Sequence, residues 1–359
     1  MAAGEGMLFE RLGVALLHGD PDQVRALVKR PQARTLVVEP ERIVRVSGPG
    51  DSPAAQSPPP EAGPARPASD NPLADSASAT WGLQAMNVTS SRFSGLGIRV
   101  AILDTGIDLQ HPDFAGRPIV SQSFVPGAAV ADVFGHGTHC AGVACGPVSP
   151  SRPPRYGVAP NAQIYVGKVV GDDGSGTDGY VLAGIDWAVR NGCAVICMSL
   201  GTPVTQNEPY SQVYEQVAAR ALAAGSVLVA AAGNESERPD TVLPVDHPAD
   251  CPSILAIGAV DPRIRIAPFS NGGLNPDGGE VDIAAPGVAI LSSWPRPTLY
   301  RAASGTSMAA PYVAGILALL AEANPAARGP ALQALLLRAA SGLPLPARDV
   351  GAGLAQAPQ

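Results

Sequence analysis

Aromatic side chains are scarce in this chain, at 4% of 359 residues, and charged ones reach only 15%. The core must therefore rest on Ala, Val, Leu and Ile, and a hydrophobic content of 46% is enough to bury a sizeable one. A basic surplus is also missing. With 24 Lys and Arg against 31 Asp and Glu, the formal net charge is −7. That argues against a general nucleic-acid or anionic-membrane surface and leaves room for acidic patches that take basic ligands. The opening "MAAGEGMLFERLGVALLHGD" lacks a basic start followed by an unbroken apolar stretch, so no secretory signal is read and a cytoplasmic location is expected. The longest apolar run, "YVAGILALLA", is about half a membrane span and reads as a buried helix. Cysteines are few and odd in number: Cys140, Cys145, Cys193, Cys197 and Cys251. Free thiols are expected, with a Cys193–Cys251 disulfide as the alternative.

Glycine and proline are plentiful, and they divide the chain into three zones. Residues 1–46 read as a small α+β unit, in which Asp20 caps a helix with Pro21 in its first turn and "RTLVVEPERIVRV" is β-rich. Residues 47–79 are rich in Pro, Ala, Ser and Gly and bury too little to offset ordering entropy, so they read as a linker. Residues 80–359 alternate short apolar strands ("IRVAIL", "AQIYVGKVV", "CAVICMSL", "SVLVAAA", "SILAIGAV") with helical segments such as "YSQVYEQVAARALAAG". Near-continuous apolar strands alternating with helices predict an α/β three-layer sandwich. Its mostly parallel central sheet carries helices on both faces and its chemistry just beyond the strand ends.

Several residues at those ends invite a bland reading one at a time. Asp104 in "LDTGID" reads as a turn cap, and Ser307 in "SGTSMAAP" as a helix N-terminal serine. His136 and His139 in "GHGTHCAG" have the spacing of a metal pair, but nothing completes a ligand set, and no metal site is expected. Gly174, Gly176 and Gly179 in "GDDGSGTDGY" spell the dinucleotide fingerprint. Asp172 and Asp173 would oppose a pyrophosphate, and the next strand ends without a ribose-binding acid, which argues against that reading. Cys140 suggests a thiol nucleophile, but no second His is free to activate it, and a buried helix cysteine near the site is the better reading.

Taken together, "VAILDTGID", "GHGTHCAG", "SLG", "AAAGNE" and "GTSMAAP", in that order, resemble the subtilisin-like serine proteases over about residues 81–355. The resemblance implies a serine endopeptidase with Ser307 as nucleophile, His136 as general base and acid, and Asp104 as its orienting carboxylate. Asn234 joins the Ser307 N–H as oxyanion donor. It implies an extended substrate strand between Gly174, Ser175 and Gly176 on one side and Ser199, Leu200 and Gly201 on the other. It puts Asp246 at the base of S1, Glu235 on its rim and Asp178 near P4, from which basic P1 and P4 side chains are expected. Peptide or protein substrates are the expected partners of a monomer. The N-terminal unit resembles a shortened propeptide and is expected to act as an intramolecular inhibitor, with self-cleavage between Ser47 and Ser78. Catalysis needs no cofactor on this reading; a weak calcium site near Asp113 or Asp261 is carried over from the family. A dedicated precursor-peptide maturation protease and a catalytically silent peptide-binding module are the competing functions.

Overall fold

A computed structural model describes residues 6–20, 22, 26, 37–46 and 72–359. In chain order the N-terminal unit contributes β1 (Gly6–Phe9), β2 (Val14–Leu17) and β3 (Ile43–Arg45), with β1 and β2 forming an antiparallel hairpin. The helix expected after Asp20 falls largely outside the described residues, although the Asp20 carboxylate accepts the Asp22 N–H at 2.7 Å as an N-cap would. The main domain opens with α1 (Trp81–Ala85), β4 (Arg99–Asp104), β5 (Ile119–Ser123), α2 (His136–Cys145), β6 (Gln163–Lys168), β7 (Ser175–Thr177) and α3 (Asp178–Arg190). It continues with β8 (Val195–Met198), α4 (Gln212–Ala223), β9 (Val227–Ala231), β10 (Ile254–Val260), β11 (Ile283–Pro286) and β12 (Ile290–Ser293). It closes with β13 (Tyr300–Ala303), α5 (Thr306–Ala323), α6 (Pro330–Ala339) and α7 (Ala347–Val350).

Seven strands form one sheet in the order β11-β10-β9-β8-β4-β6-β5, every neighbouring pair parallel. The strands read as continuous apolar runs because both faces are covered, and the two-residue pleat splits each strand between two cores. Val100, Ile102, Val195, Val227 and Leu255 pack with α2 and α5 on one side. Ala101, Leu103, Ile196, Leu228 and Ala256 pack with α3 and α4 on the other, a core that also takes in Phe9, Leu12, Val44 and Val46 of the N-terminal unit. Among the described residues α5 is long and apolar enough to cross a membrane, but 89% of that stretch is buried inside the molecule, as a central core helix should be. All five cysteines are buried and free, so the Cys193–Cys251 alternative is not formed.

The expected linker boundary moves. Residues 47–71 lie outside the described residues, but residues 72–79 belong to the domain surface. The Leu73 N–H donates to Pro262 O at 2.8 Å, the Asp75 carboxylate accepts the Trp81 N–H at 2.8 Å, and Ala79 is buried. Asp75 supplies a missing acceptor at the start of α1, a role that the Pro- and Ser-rich composition around it disguises.

Candidate active site

The strand order reverses at β4, which has β6 on one side and β8 on the other, and ligands of open parallel sheets gather at such a switch point. Asp104 is the last residue of β4 and fully buried. Its carboxylate accepts the Thr105 N–H at 2.7 Å and the His136 Nδ1–H at 2.8 and 2.9 Å. His136 is the first residue of α2. Burial disfavours its charged form, but the Asp104 charge and hydrogen bond, with Asp132 behind them, outweigh burial and hold its pKa above the ordinary 6.5. His136 Nε2 has no hydrogen-bond partner among the described residues, which leaves it available to a nucleophile or a leaving group.

Ser307 sits in the first turn of α5 and is 3% exposed. Four residues on, Pro311 has no N–H, so the Ser307 carbonyl lacks its helical donor. Two side chains replace it: Ser199 Oγ–H donates at 2.9 Å and the Cys140 thiol at 3.5 Å. Cys140 Sγ is also 3.7 Å from His136 Nδ1, so one buried side chain touches both His136 and Ser307. Burial, and then the nearby Asp104 charge, push the Cys140 thiol well above its usual range and leave it protonated rather than nucleophilic. Ser307 Oγ donates to Ser199 O at 3.3 Å in this rotamer, and triad contacts of this kind commonly tighten only with substrate in place. Asn234 is fixed by its side-chain oxygen, which accepts from Thr306 N–H at 2.8 Å and from Thr306 Oγ1–H at 3.1 Å. Its amide nitrogen therefore faces away from Thr306.

The expected groove is occupied by the chain itself. β3 pairs antiparallel with β7, with Val44 opposite Gly176 and Arg45 opposite Ser175. On its other edge, Arg45 exchanges both backbone hydrogen bonds with Gly201 at 2.9 Å, and the Val46 N–H reaches Gly174 O at 3.1 Å. Gly174 adopts φ +79°, where a side chain would be strained and would press on Phe134. Val44 and Val46 are buried, while Ile43 and Arg45 point out, as the pleat requires. Two carboxylates of the same segment cap helices: Glu41 Oε1 accepts the Gly179 N–H at the start of α3, and Glu39 Oε1 accepts the Gln212 N–H at the start of α4.

Asp246 is 5% exposed, and its carboxylate lies where a Cβ on Gly233 would come within 2.6 Å, with its own Cβ close to Gly201. It is thus wedged between the Ser199–Gly201 and Ala232–Asn234 segments, and it shares a donor with the exposed Glu235. Asn271 Nδ2 donates to both acids, at 3.1 Å to Asp246 Oδ1 and 2.8 Å to Glu235 Oε2. Burial, then the Glu235 charge and hydrogen bond, push the Asp246 pKa well above the carboxylate range. Asp178 departs from the expectation of a basic P4 partner. Its carboxylate is already engaged by the Arg42 N–H at 2.8 Å and by His247 Nε2 at 3.2 Å. Both calcium candidates are likewise saturated from within and do not fit a bound cation. Asp113 accepts from Ser151 N, Tyr156 Oη and Tyr300 Oη, and Asp261 from Arg265 and two backbone N–H groups.

Sequence reasoning passed over several supporting residues. Asp132 accepts from Thr105 Oγ1, Gly135 N, Thr138 N and Thr138 Oγ1, and so ties the turn before His136 to the turn after Asp104. Its place four residues before His136 was the available signal. Asn271 and Thr306 carry no spacing that would single them out.

Residues 95–353 match the subtilase family, which also carries the description Peptidase S8. The chain is 38% identical over 244 residues to subtilisin DY of Bacillus licheniformis, an alignment spanning 68% of this chain and 83% of that protein. It is 39% identical over 245 residues to subtilisin E of Bacillus subtilis, spanning 68% of this chain and 60% of the relative. It is also 38% identical over 252 residues to an alkaline protease of Alkalihalobacillus alcalophilus, spanning 69% of this chain and 61% of the relative. With the Asp104–His136 pair, Ser307 and the sheet topology already in hand, these matches establish that the chain belongs to the subtilase family of serine endopeptidases.

Proposed function

We propose that this chain hydrolyses extended peptides with Lys or Arg at P1, and that residues 43–46 act as its own inhibitor in the groove. The observation that carries this reading is the β3 segment hydrogen-bonded on both edges beside the buried Asp104–His136 pair. Ser307 Oγ attacks the scissile carbonyl carbon while its proton passes to His136 Nε2. The oxyanion of the tetrahedral intermediate accepts from the Asn234 amide and the Ser307 N–H at the head of α5. Collapse breaks the C–N bond, the imidazolium protonates the departing amine, and water then hydrolyses the acyl-enzyme by the same proton route. Asp104 holds Nδ1–H throughout, which keeps Nε2 free to accept. Asn234→Ala should fold and bind substrate with little change in KM, yet lose about 10²–10³ in kcat, the range established for the matching donor in another subtilase. Steady-state kinetics on a peptide substrate check it.

The P1 preference rests on the Asp246–Glu235 pair. Burial first, and then the charge of Glu235 with which it shares the Asn271 amide donor, raise the Asp246 pKa. A guanidinium or ammonium entering between the two walls lets both acids ionise. Replacing Asp246 by Ser should lower kcat/KM for an Arg substrate by about 10–100-fold, the worth of a hydrogen bond to a charged group, and spare Leu substrates. Wild-type preference for Phe or Leu over Arg at P1 would overturn the acidic-pocket reading.

The inhibitory segment has a definite register. Because Arg45 stands opposite Gly201 in antiparallel sense, a peptide in the groove carries its P1 residue opposite Ser199, whose carbonyl accepts from Ser307 Oγ. Val46 then corresponds to P2 and Val44 to P4, and self-cleavage is proposed after Ser47. A serine is a poor match to an acidic S1, which suits an inhibitor that is cut slowly. N-terminal sequencing of aged protein should begin at Gly48.

A further inference from the structure

Behind the groove, and separate from the Asp104–His136 pair, His247, Asp250 and Cys251 bring one ring nitrogen, one carboxylate oxygen and one sulfur within 4.8 Å of one another. All three are buried, at 0%, 2% and 1% exposure. His247 Nδ1 and Asp250 Oδ1 are 3.7 Å apart, too far for a hydrogen bond. Cys251 Sγ is also 3.7 Å from Asp250 Oδ1 and from Ser211 O. His247 Nδ1 and Asp250 Oδ2 have no hydrogen-bond partner among the described residues, although each is enclosed. Leaving such atoms unpaired costs about 1–3 kcal/mol each; at 3.7 Å Asp250 pairs with His247 only as a loose ion pair, which leaves a place for an occupant.

We propose that His247, Asp250 and Cys251 bind a borderline-soft divalent cation of the zinc class, with the Ser211 carbonyl or a water completing the set. Ligand atoms around one tetrahedral ion with bonds of about 2.0–2.3 Å stand about 3.3–3.8 Å apart, a range that contains the 3.7 Å separations of Asp250 Oδ1 from His247 Nδ1 and from Cys251 Sγ. Nitrogen and sulfur donors beside a single carboxylate exclude calcium and magnesium, which need several oxygens. The surroundings of His247 also fit. Its other nitrogen faces the Asp178 carboxylate at 3.2 Å, the carboxylate–histidine–metal arrangement that fixes the tautomer and leaves Nδ1 unprotonated toward an ion. Cys251 surrenders its proton on ligation, and the two negative charges of thiolate and Asp250 then balance the cation. The ion staples the loop that carries Asp246 to Ser211, the N-cap of α4, and through Asp178 it steadies the carboxylate that holds the Arg42 N–H.

The test uses the full chain carrying Ser307→Ala to prevent self-digestion, produced in medium supplemented with Co2+ or Zn2+ and purified without chelator, since a closed site takes up its ion as the chain folds. The expected result is one metal per chain by elemental analysis and, for Co2+, the thiolate-to-cobalt charge-transfer band. Added Cys251→Ser should abolish that band and lower bound metal at least tenfold. Asp250→Asn, which keeps the shape of the site, should lower it likewise, and Cys140→Ser should leave both readouts unchanged. Circular dichroism confirms that each variant is folded. The inference is overturned by a metal-free parent Ser307→Ala protein, by a band that survives Cys251→Ser, or by a band lost in Cys140→Ser, which would assign the ion to the Asp104–His136–Cys140 cluster. None of these readouts depends on peptidase activity.

Discussion

Ser307→Ala is expected to leave a folded chain whose peptide hydrolysis falls by on the order of 10⁶ in kcat, the loss known for the nucleophile of a related subtilase. The fold should survive because what Ser307 gives its surroundings comes mainly from its backbone. Its carbonyl takes the Ser199 and Cys140 donors that Pro311 leaves unopposed, and alanine keeps that carbonyl. Only the Oγ–H to Ser199 O bond of 3.3 Å disappears, and no buried donor is stranded by its loss. Two measurements read the outcome without a substrate of known sequence. A fluorophosphonate should label the wild type and not the variant, and the variant should keep its full-length mass on storage. Turnover equal to wild type in Ser307→Ala would sink the assignment of the nucleophile.

Asp104→Asn should cost about 10⁴ in kcat, the loss measured for the same change in the unrelated chymotrypsin-type triad. An asparagine can keep the geometry, yet it turns an N–H toward His136 or offers only one oxygen, so Nδ1 no longer has to carry the proton. The pH profile gives an independent check. His136 is held above its ordinary 6.5 chiefly because the Asp104 charge and hydrogen bond overcome burial. Catalysis requires the neutral imidazole, so wild-type kcat/KM should rise as pH climbs through that elevated pKa. In Asp104→Asn burial acts unopposed by Asp104, and the acid limb should move to lower pH even as the plateau drops. The stability linkage runs the other way. A histidine whose folded pKa is raised stabilises the fold fully below its unfolded value and loses that contribution as pH rises through the folded pKa. Activity and this one contribution to stability thus trade off across the same pH range. An acid limb unmoved by Asp104→Asn would show that something other than this pair sets the His136 pKa.

The sandwich was legible because buried parallel strands write themselves as unbroken apolar runs, as in "VAIL" and "VLVA", and both faces of each proved to be covered. The clustering of Asp104, His136 and Ser307 was legible because each lies in a small-residue motif at a strand end or helix start. What stayed hidden depends on partners far away in sequence. Nothing local in "RIVRV" says that it pairs with residues some 130 and 156 positions on, Ser175 and Gly201. Asp178 looked like a groove carboxylate because its neighbours Gly174 and Gly176 line the groove, whereas its oxygens are taken by the Arg42 N–H and His247. The segment "HPADCPS" directly follows Asp246 and carries no familiar metal-ligand spacing. Its His, Asp and Cys gain meaning only when the loop folds back on Ser211.

The way β3 is gripped also sets what this enzyme can attack. Every hydrogen bond from Arg45 and Val46 to Gly201 and Gly174 is made by main chain, so this part of the grip does not read side chains and demands a fully drawn-out segment. Four such residues span about 13 Å, more than twice their length in a helix. A folded client must therefore melt several residues before it can enter. The rate at which a native protein is cut should then follow the free energy of its local opening more closely than the number of Arg and Lys residues it displays. The proposed acidic pocket would then choose only among segments that thermal fluctuation has already released.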